Sequence, residues 1–292
     1  MNPLKIGNHT LEWGIRTYLM GILNITEDSF SGDGLLKEAN SMITTINLAR
    51  HFVDNGVDIL DVGGESTRPG SLPVDETTEK MRVIPVIQQL SAEFPDVLIS
   101  IDTYKASVAA EALEAGAHMV NDVWGLRADP DLASVASKYQ VPIILMHNRS
   151  KPSNAEIQSN LGGRYIGMKY DDLLKDIQKE LLESVNLALD AGIHPGKIIL
   201  DPGIGFGKTV EQNLELLDRL NELRQLGYPI LLGPSRKSFI GYTLDLPADQ
   251  RVEGTAAAIS VGITRGADIV RVHDVKYMSR VARMTDAIVR RS

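Results

Sequence analysis

The chain has 292 residues, of which 43% are hydrophobic and 23% charged, and its formal net charge is −8. This composition is that of a globular protein. The acidic balance argues against an extended basic surface for nucleic acid, although a local positive pocket is compatible with it. Because the sequence contains no cysteine, disulfides, thiolate catalysis and cysteine-based zinc sites are excluded. We therefore expect a cytoplasmic protein whose partners are small molecules.

The N-terminal segment predicts a small hairpin. Its charged residues recur too often for the apolar core of a signal peptide or for a membrane span, so we expect the mature protein to begin here. Gly7 and Asn8 form a turn signal between two short runs, residues 4–6 and 10–12. We predict that residues 1–16 form a hairpin that closes the bottom of the fold.

Strand–helix units then repeat along the chain. Three segments consist of a glycine, a short apolar run and a polar residue; they start at Gly56, Gly116 and Gly266 and reach Asp61, Asn121 and Arg271. A looser fourth copy ends at Asp201. Glycine suits the left-handed residue that ends a helix, and the apolar run is typical of a strand covered on both faces. Such units indicate parallel strands, either in an open doubly wound sheet or in a closed barrel.

The number of strands favours the barrel. The predicted strands are residues 18–23, 57–61, 98–101, 118–120, 143–146, 198–200, 230–232 and 268–270. A helical pattern follows each of them, for example over residues 171–191. Eight alternating units in a chain of this length predict an α/β protein with a single domain, a (β/α)8 TIM barrel over residues 17–292.

Polar residues collect where the predicted strands end, which is where barrels of this kind carry their active sites. They are Asn24, Asp61, Asp102, Asn121, His147, Asp201, Ser235 to Lys237, Arg271 and His273. Helix caps and turns also favour Asp, Asn and Ser, so a single position is weak evidence. The set as a whole suits a flat heterocycle with amide and amino groups, and its cations follow strands seven and eight, the usual phosphate corner. Long connections at residues 24–36, 63–74 and 148–170 are predicted to be functional or mobile.

A glycine-rich segment between Asp201 and Thr209 resembles the setting of a nucleotide-binding P-loop. The spacing does not fit, because Pro202 stands where the first glycine of the motif is required. The carboxylate of Asp201 would also lie beside the phosphates without a role. We therefore reject nucleotide binding.

Seven motifs in chain order resemble the dihydropteroate synthase family, from the first barrel strand to the last. They are residues 20–26 (MGILNIT), 64–70 (GESTRPG), 100–103 (SIDT), 121–122 (ND), 201–208 (DPGIGFGK), 235–239 (SRKSF) and 271–274 (RVHD). The resemblance implies condensation of p-aminobenzoate with 6-hydroxymethyl-7,8-dihydropterin pyrophosphate, which gives 7,8-dihydropteroate and pyrophosphate in folate biosynthesis. It also implies a homodimer and a Mg2+ ion bound through the Asn24 oxygen.

The resemblance implies a role for each matching residue. The pterin would contact Asp102, Asn121, Met146, Asp201, Lys237 and Arg271, of which Asp102, Asp201, Lys237 and Arg271 would act in catalysis. Asn24, Thr67, Arg68, Arg271 and His273 would hold the pyrophosphate, and Thr67, Pro69, Gly205, Phe206 and Ser235 would form the p-aminobenzoate pocket. If pyrophosphate leaves first, a buried carboxylate would stabilise the cation that remains. The neutral amine then needs positioning more than a general base.

Several residues keep a second interpretation. Phe206 could pack a loop rather than line a pocket, and Met146 could be core. His147 is expected to orient a loop rather than to bind metal, because it has no second ligand at a suitable spacing. Asp61 and Glu65 are expected to brace Arg68 in the second loop.

The first loop departs from the family pattern. Glu27 replaces the usual proline. Gly32 stands where the family has an aspartate, and the aspartate of this chain, Asp33, comes one position later. The change frees the loop backbone and adds a negative charge near an anionic substrate, so we expect the family roles of Asn24 and Phe30 to persist better than that of Asp33. The other loops match the ordinary enzyme, which predicts sensitivity to sulfonamides.

Two rival functions differ at specific motifs. A pterin-binding methyltransferase would share the pterin residues, but residues 235–239 and 67–69 speak against it. A non-catalytic pterin-binding protein would be expected to lose its phosphate residues, yet Arg68, Arg271 and His273 are present.

Overall fold

The computed structural model describes residues 1–25, 35–67, 71–158, 160–166 and 168–290. Within them the strands are β1 (Leu4–Ile6), β2 (His9–Leu11), β3 (Tyr18–Asn24), β4 (Ile59–Gly63), β5 (Leu98–Asp102), β6 (Met119–Asp122), β7 (Ile143–Met146), β8 (Ala155–Gln158), β9 (Gly162–Tyr165), β10 (Ile198–Asp201), β11 (Leu231–Leu232) and β12 (Ile269–Val272). The α-helices are α1 (Leu35–Asp54), α2 (Glu76–Glu93), α3 (Ala106–Glu114), α4 (Leu132–Tyr139), α5 (Leu173–Asp190), α6 (Val210–Asp218), α7 (Ser238–Leu244), α8 (Val252–Thr264) and α9 (Val275–Val289).

Eight parallel strands form the predicted barrel, in the order β10-β7-β6-β5-β4-β3-β12-β11. The seam between β10 and β11 is joined by one bridge, Leu200 with Ile230, and the Leu200 amide donates to the Pro229 carbonyl over 2.9 Å. At least one helix follows each barrel strand, and two follow β11. The predicted (β/α)8 architecture is confirmed. Among the described helices none is long and apolar enough to cross a bilayer.

Most barrel strands end one or two residues later than the sequence pattern predicted. Asp102 and Asp201 are the last residues of β5 and β10 instead of following them; Asp102 is in register with Asn121, and Asp201 with Met146. Asp61, predicted as the last residue of its strand, is followed by two more strand residues. A parallel ladder pairs backbone groups, so a polar side chain does not end it when that side chain points into the barrel. The expectation that Asp102 and Asp201 lie beyond their strands was therefore wrong by one position.

Alternate residues of each strand face different surroundings, as the pleat requires. On β4, Leu60 and Val62 belong to the large cluster between barrel and helices, whereas Ile59 belongs to a second cluster inside the barrel. The apolar inward layer near the N-terminal ends contains Met20, Ile59, Leu98, Met119, Ile144, Ile199, Leu231 and Ile269. The inward positions two residues further on include Asp61, Ser100, Asn121, Met146, Asp201 and Arg271. The interior thus changes from apolar to polar along the barrel axis.

The N-terminal hairpin packs against the apolar layer. Strands β1 and β2 pair antiparallel, with Leu4 opposite Leu11, and Gly7 in the turn has a φ of +55°. The buried side chains of Leu4, Ile6 and Leu11 join the inner cluster. The predicted N-terminal hairpin is present and packs against the apolar end of the barrel interior.

Glycines end helices before three barrel strands, as the repeat predicted. Gly56, Gly116 and Gly266 have φ values of +82°, +113° and +103°. These left-handed residues turn the chain from each helix into the next apolar strand.

The long connection after β7 contains an antiparallel hairpin, β8–β9, that was not predicted. It leans on α7, where the Arg164 guanidinium lies 4.6 Å from the centre of the Tyr242 ring. The Arg251 side chain donates to the Leu161 carbonyl over 2.9 Å. Because β8 and β9 have mixed burial and little apolar alternation, periodicity could not reveal them.

Candidate active site

The polar residues of the three repeat units meet inside the barrel. Arg271 Nε donates to Asp61 Oδ2 over 2.5 Å, and its Nη2 donates to Asp102 Oδ2 over 2.5 Å. Asn121 Nδ2 donates to the same Asp61 oxygen over 3.1 Å. The equivalent positions Asp61, Asn121 and Arg271 therefore form one cluster, and Asp102 joins it from β5.

Burial and pairing oppose each other in this cluster. Burial raises the pKa of Asp102 to about 7, although the neighbouring Arg271 cation opposes that shift. For Arg271 itself, burial lowers the pKa, but Asp61 and Asp102 more than compensate and raise the pKa overall. The guanidinium is therefore a fixed cation held between two carboxylates.

A row of buried acceptors lies beside the guanidinium. Asp61 Oδ1, Ser100 Oγ and Asp102 Oδ1 are buried and have no hydrogen-bond partner among the described residues. The register places Asp61 opposite Ser100 and Asp102 opposite Gly63, so the three oxygens come from adjacent strands. An unpaired buried polar atom costs about 1–3 kcal/mol. The row fits a ligand that presents N–H donors.

Asp201 begins the glycine-rich loop after β10. Its Oδ1 accepts from the Gly203 amide over 2.7 Å. Burial raises the pKa of Asp201, and the cation of Lys237 opposes that shift. Gly203 has a φ of +69°, and a Cβ there would collide with the His147 carbonyl oxygen. The loop is thus pressed against the segment that follows β7.

Lys237 extends over this loop from the other side. Its Nζ donates to the Ile204 carbonyl and lies 4.4 Å from the centre of the Phe206 ring. Burial lowers the pKa of Lys237 to about 8, although Asp201 favours the charged form. Phe206 is half-buried and lies outside both hydrophobic clusters of the described residues. Its contact with Lys237 favours the pocket interpretation over simple packing.

Met146 ends β7 in register with Asp201. It is buried but belongs to neither hydrophobic cluster of the described residues. Its place beside a carboxylate favours a shape contact with a ligand over a core role.

Four further residues of the predicted site end or follow β3, β4, β11 and β12, which are neighbours in the barrel. Asn24 ends β3 and is exposed, and Thr67 is exposed after β4. After β12, the His273 amide donates to Ser235 Oγ over 3.1 Å, and its Nδ1 lies 3.1 Å from the same oxygen. Strand order therefore brings Asn24, Thr67, Ser235 and His273 to one side of the barrel mouth.

Some predicted site residues lie outside the described residues. They are Arg68 and Pro69 in the second loop, and Glu27, Phe30, Gly32 and Asp33 in the first.

Asp61 and Glu65, the residues predicted to brace Arg68, both have partners among the described residues, while Arg68 itself lies outside them. Asp61 holds Arg271 and Asn121, as described above, while Glu65 Oε2 accepts from Lys105 Nζ over 2.5 Å. Lys105 also donates to Glu79, a buried residue of α2. Spacing along the sequence could not indicate these pairs, because they join residues 40 and 26 positions apart.

Sequence inspection also missed the role of Lys208. Its buried Nζ lies 2.9 Å from His147 Nδ1 and donates to the Gly203 carbonyl over 2.9 Å. Burial and the nearby Lys208 lower the pKa of His147 to about 3, so the imidazole is neutral. The described residues contain no cluster of three or more His, Asp or Glu side chains able to hold a metal.

The chain is similar to known proteins over nearly its whole length. Residues 20–273 match the model of the family described as "Pterin binding enzyme". A dihydropteroate synthase of Clostridium beijerinckii is 51% identical, over 99% of this chain and 100% of that protein. The Clostridium difficile dihydropteroate synthase, crystallised in the presence of pteroic acid, is 51% identical with a TM-score of 0.86 and covers 96% of this chain and 99% of that one. The Yersinia pestis enzyme in a sulfonamide complex is 39% identical with a TM-score of 0.87, covering 98% and 99% of the two chains.

Proposed function

The chain belongs to the pterin binding enzyme family, as a dihydropteroate synthase, and we propose how its strand-end residues divide the work of that reaction. The reaction condenses p-aminobenzoate with 6-hydroxymethyl-7,8-dihydropterin pyrophosphate. It breaks the bond between the exocyclic methylene and the pyrophosphate oxygen and forms a C–N bond to the amine. The amine loses one proton, and 7,8-dihydropteroate and pyrophosphate are released.

The row of unpartnered buried acceptors is the observation that supports the pterin pocket most directly. A pterin edge carries amino and ring N–H donors that would satisfy the unpartnered oxygen of Asp102 and would also bind Asp201, while the Asn121 amide can both donate and accept. Lys237 would bind the acceptor side of the ring, and Met146 would fit its outline. We propose that Arg271 keeps its bond to Asp61 and lies over the pterin plane.

Electrostatics then favours departure of pyrophosphate before attack by the amine. The methylene left behind carries positive charge that spreads into the pterin, and the buried carboxylates of Asp102 and Asp201 would stabilise it. Fixed negative charges in a site with little water are worth more than in solution. The amine is a neutral nucleophile, so the protein needs chiefly to orient it.

Pyrophosphate would bind beside the Arg271 cluster, at the ends of β3, β4 and β12. Asn24, Thr67, Arg68, Arg271 and His273 are the groups we assign to it. Because the described residues hold no cluster of acidic or histidine ligands for a metal, a Mg2+ ion would depend mainly on pyrophosphate and water oxygens, with the Asn24 oxygen as a protein ligand. When bound, Mg2+ would offset the charge of the leaving group.

The p-aminobenzoate pocket would lie above the pterin. Phe206 and Gly205 would flank the aromatic ring, together with Thr67 and Pro69 from the second loop. Ser235 would take the carboxylate, supported by the nearby Lys237 cation.

We further propose a cytoplasmic homodimer. Helices α6, α7 and α8 line an apolar groove of about 380 Å3. At this groove Leu214, Leu244 and Val261 are 43%, 47% and 43% exposed. Clustered exposed apolar residues favour association with a second copy. Sedimentation of a Val261→Glu variant as a monomer, with the unmodified chain as a dimer, would support this face.

One assay tests the proposed function. Pyrophosphate release is measured with the pterin pyrophosphate, with and without p-aminobenzoate. Formation of dihydropteroate that depends on both substrates supports the proposal. Absence of product above background contradicts it, and pterin binding without turnover would identify a non-catalytic binding protein.

Sulfonamide sensitivity remains a prediction for this chain. A sulfonamide should compete with p-aminobenzoate, because both present an aromatic amine opposite an anionic group. Inhibition that requires concentrations far above the p-aminobenzoate KM would contradict it.

A further inference from the structure

Lys208 is a buried lysine that the proposed roles above do not use. It is 2% exposed and closes the glycine-rich segment that resembles a P-loop. Its Nζ lies 2.9 Å from the Gly203 carbonyl, 3.0 Å from the Phe206 carbonyl and 2.9 Å from His147 Nδ1. Burial lowers the pKa of Lys208 well below its ordinary value, and the Asp201 carboxylate opposes that shift. In its ammonium form the group has three N–H donors, and these three acceptors match them.

The loop is arranged in the opposite sense to a P-loop. A P-loop turns its backbone N–H groups toward a phosphate, whereas here two carbonyls turn toward the lysine. The loop amides are used elsewhere: Gly203 donates to Asp201, and Gly205 donates to Asn213 Oδ1 over 2.6 Å. Lys208 therefore lies under the loop, while Lys237 lies above it.

A chain of polar contacts extends from Lys208 into the segment after β7. The neutral His147 accepts from Lys208, and its Nε2 lies 3.1 Å from Glu180 Oε2. A second support stands beside it: Tyr170 donates its hydroxyl to the Gly207 carbonyl over 2.9 Å. Three carbonyls of one short loop are thus held from below.

Asp201 and Phe206 depend on these contacts to different degrees. Asp201 is fixed by the β-ladder, where its carbonyl accepts from the His147 amide over 2.9 Å. Phe206 lies five residues further along, in a loop whose glycines impose no side-chain packing of their own. Loss of Lys208 should therefore move Phe206 more than Asp201.

We propose that Lys208 is a positioning residue that fixes the loop from Gly203 to Gly207 and so shapes the p-aminobenzoate pocket through Phe206. It touches neither substrate. The inference rests on the proposed function, because it assigns Phe206 to that pocket.

The substitution Lys208→Met keeps most of the side-chain volume and removes the three hydrogen bonds. We expect the KM for p-aminobenzoate to rise about tenfold, equivalent to about 1.4 kcal/mol, with kcat and the KM for the pterin pyrophosphate changed less than about threefold. Arg224→Met is the matched control. Arg224 donates to the Gly266 carbonyl at the opposite end of the barrel over 2.6 Å, so that variant should lower stability and leave both KM values unchanged.

Substitutions at His147 test the same contact without altering Lys208. In His147→Asn the amide oxygen can replace Nδ1 as an acceptor, whereas His147→Leu offers none. We expect His147→Asn to retain a KM for p-aminobenzoate near that of the unmodified chain and His147→Leu to raise it. This pair provides the test if Lys208→Met does not fold.

Hydrogen exchange separates this inference from the proposed function. In the free protein, the Phe206 amide should exchange faster in Lys208→Met than in Arg224→Met. An equal effect on both substrates, an effect on kcat alone, or unchanged Phe206 exchange would overturn the role of Lys208. No turnover by the unmodified chain would instead contradict the proposed function, and the exchange comparison would still be informative.

Discussion

The two ends of the barrel interior differ although the same strands build both. On β4 the inward residue Ile59 packs in an apolar layer, and two positions later Asp61 binds a guanidinium. On β6 the same change occurs from Met119 to Asn121. The apolar end gains free energy from burial, whereas the polar end carries buried charges and unpartnered oxygens that cost it. Stability and activity should therefore respond to substitutions at opposite ends.

Asp201→Asn should give the largest effect. It keeps the shape of the side chain and removes the negative charge proposed to stabilise the cation, so kcat should fall about a hundredfold to a thousandfold. Because burial already raises the pKa of Asp201, the variant should unfold at nearly the same denaturant concentration. Turnover assays and denaturant titration measure the two quantities.

Asp286→Asn is the control for Asp201→Asn. Asp286 accepts from the Thr17 amide over 2.7 Å at the apolar end of the barrel. This variant should lower stability and leave kcat unchanged. Unchanged kinetics in Asp201→Asn would contradict the assignment of that residue to the site. It would also contradict the proposed separation of activity and stability between the two ends of the barrel.

Leu11→Ala should show the reverse pattern. Its side chain is buried in the inner cluster, and truncation of such a leucine costs about 2–5 kcal/mol of unfolding free energy. The kinetic constants measured at 25 °C should not change. Leu72→Ala, at an 85% exposed position, should affect neither quantity. A large loss of kcat/KM in Leu11→Ala would show that the two ends are coupled.

The pH dependence of Lys237 should give a smaller effect. Because burial lowers the pKa of Lys237 to about 8, kcat/KM should decrease above that pH, by about tenfold at pH 9. In Lys237→Arg the decrease should move to higher pH. Lys237 should make stability change with pH in the direction opposite to activity. Between pH about 8 and the ordinary lysine pKa of about 10.4, the unfolded chain binds more protons than the folded one, so the free energy of unfolding should rise with pH in that window. A pH profile unaffected by Lys237→Arg would contradict this assignment.

The sequence predicted the fold well because the repeat has a physical cause at every position. Gly56, Gly116 and Gly266 end helices with a positive φ, and the apolar runs after them are covered on both faces. The strand ends were less well predicted, because an inward Asp or Asn looks like a turn residue in one dimension. The β8–β9 hairpin was missed because its residues lack periodic burial.

The candidate site was predictable where it follows the ends of strands. Asp102, Asn121 and Arg271 converge because parallel strands end at one face of the barrel. The hydrogen bonds within the site were not predictable, because their partners are far apart in sequence. Asp61 and Arg271, for example, are 210 positions apart. The same limit hid the contact between Lys208 and His147, 61 positions apart.

The N-terminal hairpin also bears on the route by which ligands enter the barrel. Leu4, Ile6 and Leu11 of the hairpin cover the apolar end of the barrel interior, so we expect ligands to reach the polar residues from the C-terminal ends of the strands. If the pterin binds at Asp102 as proposed, it lies deeper in the barrel than p-aminobenzoate, and we expect it to bind first. The hairpin would then contribute to the order of binding without contacting either substrate.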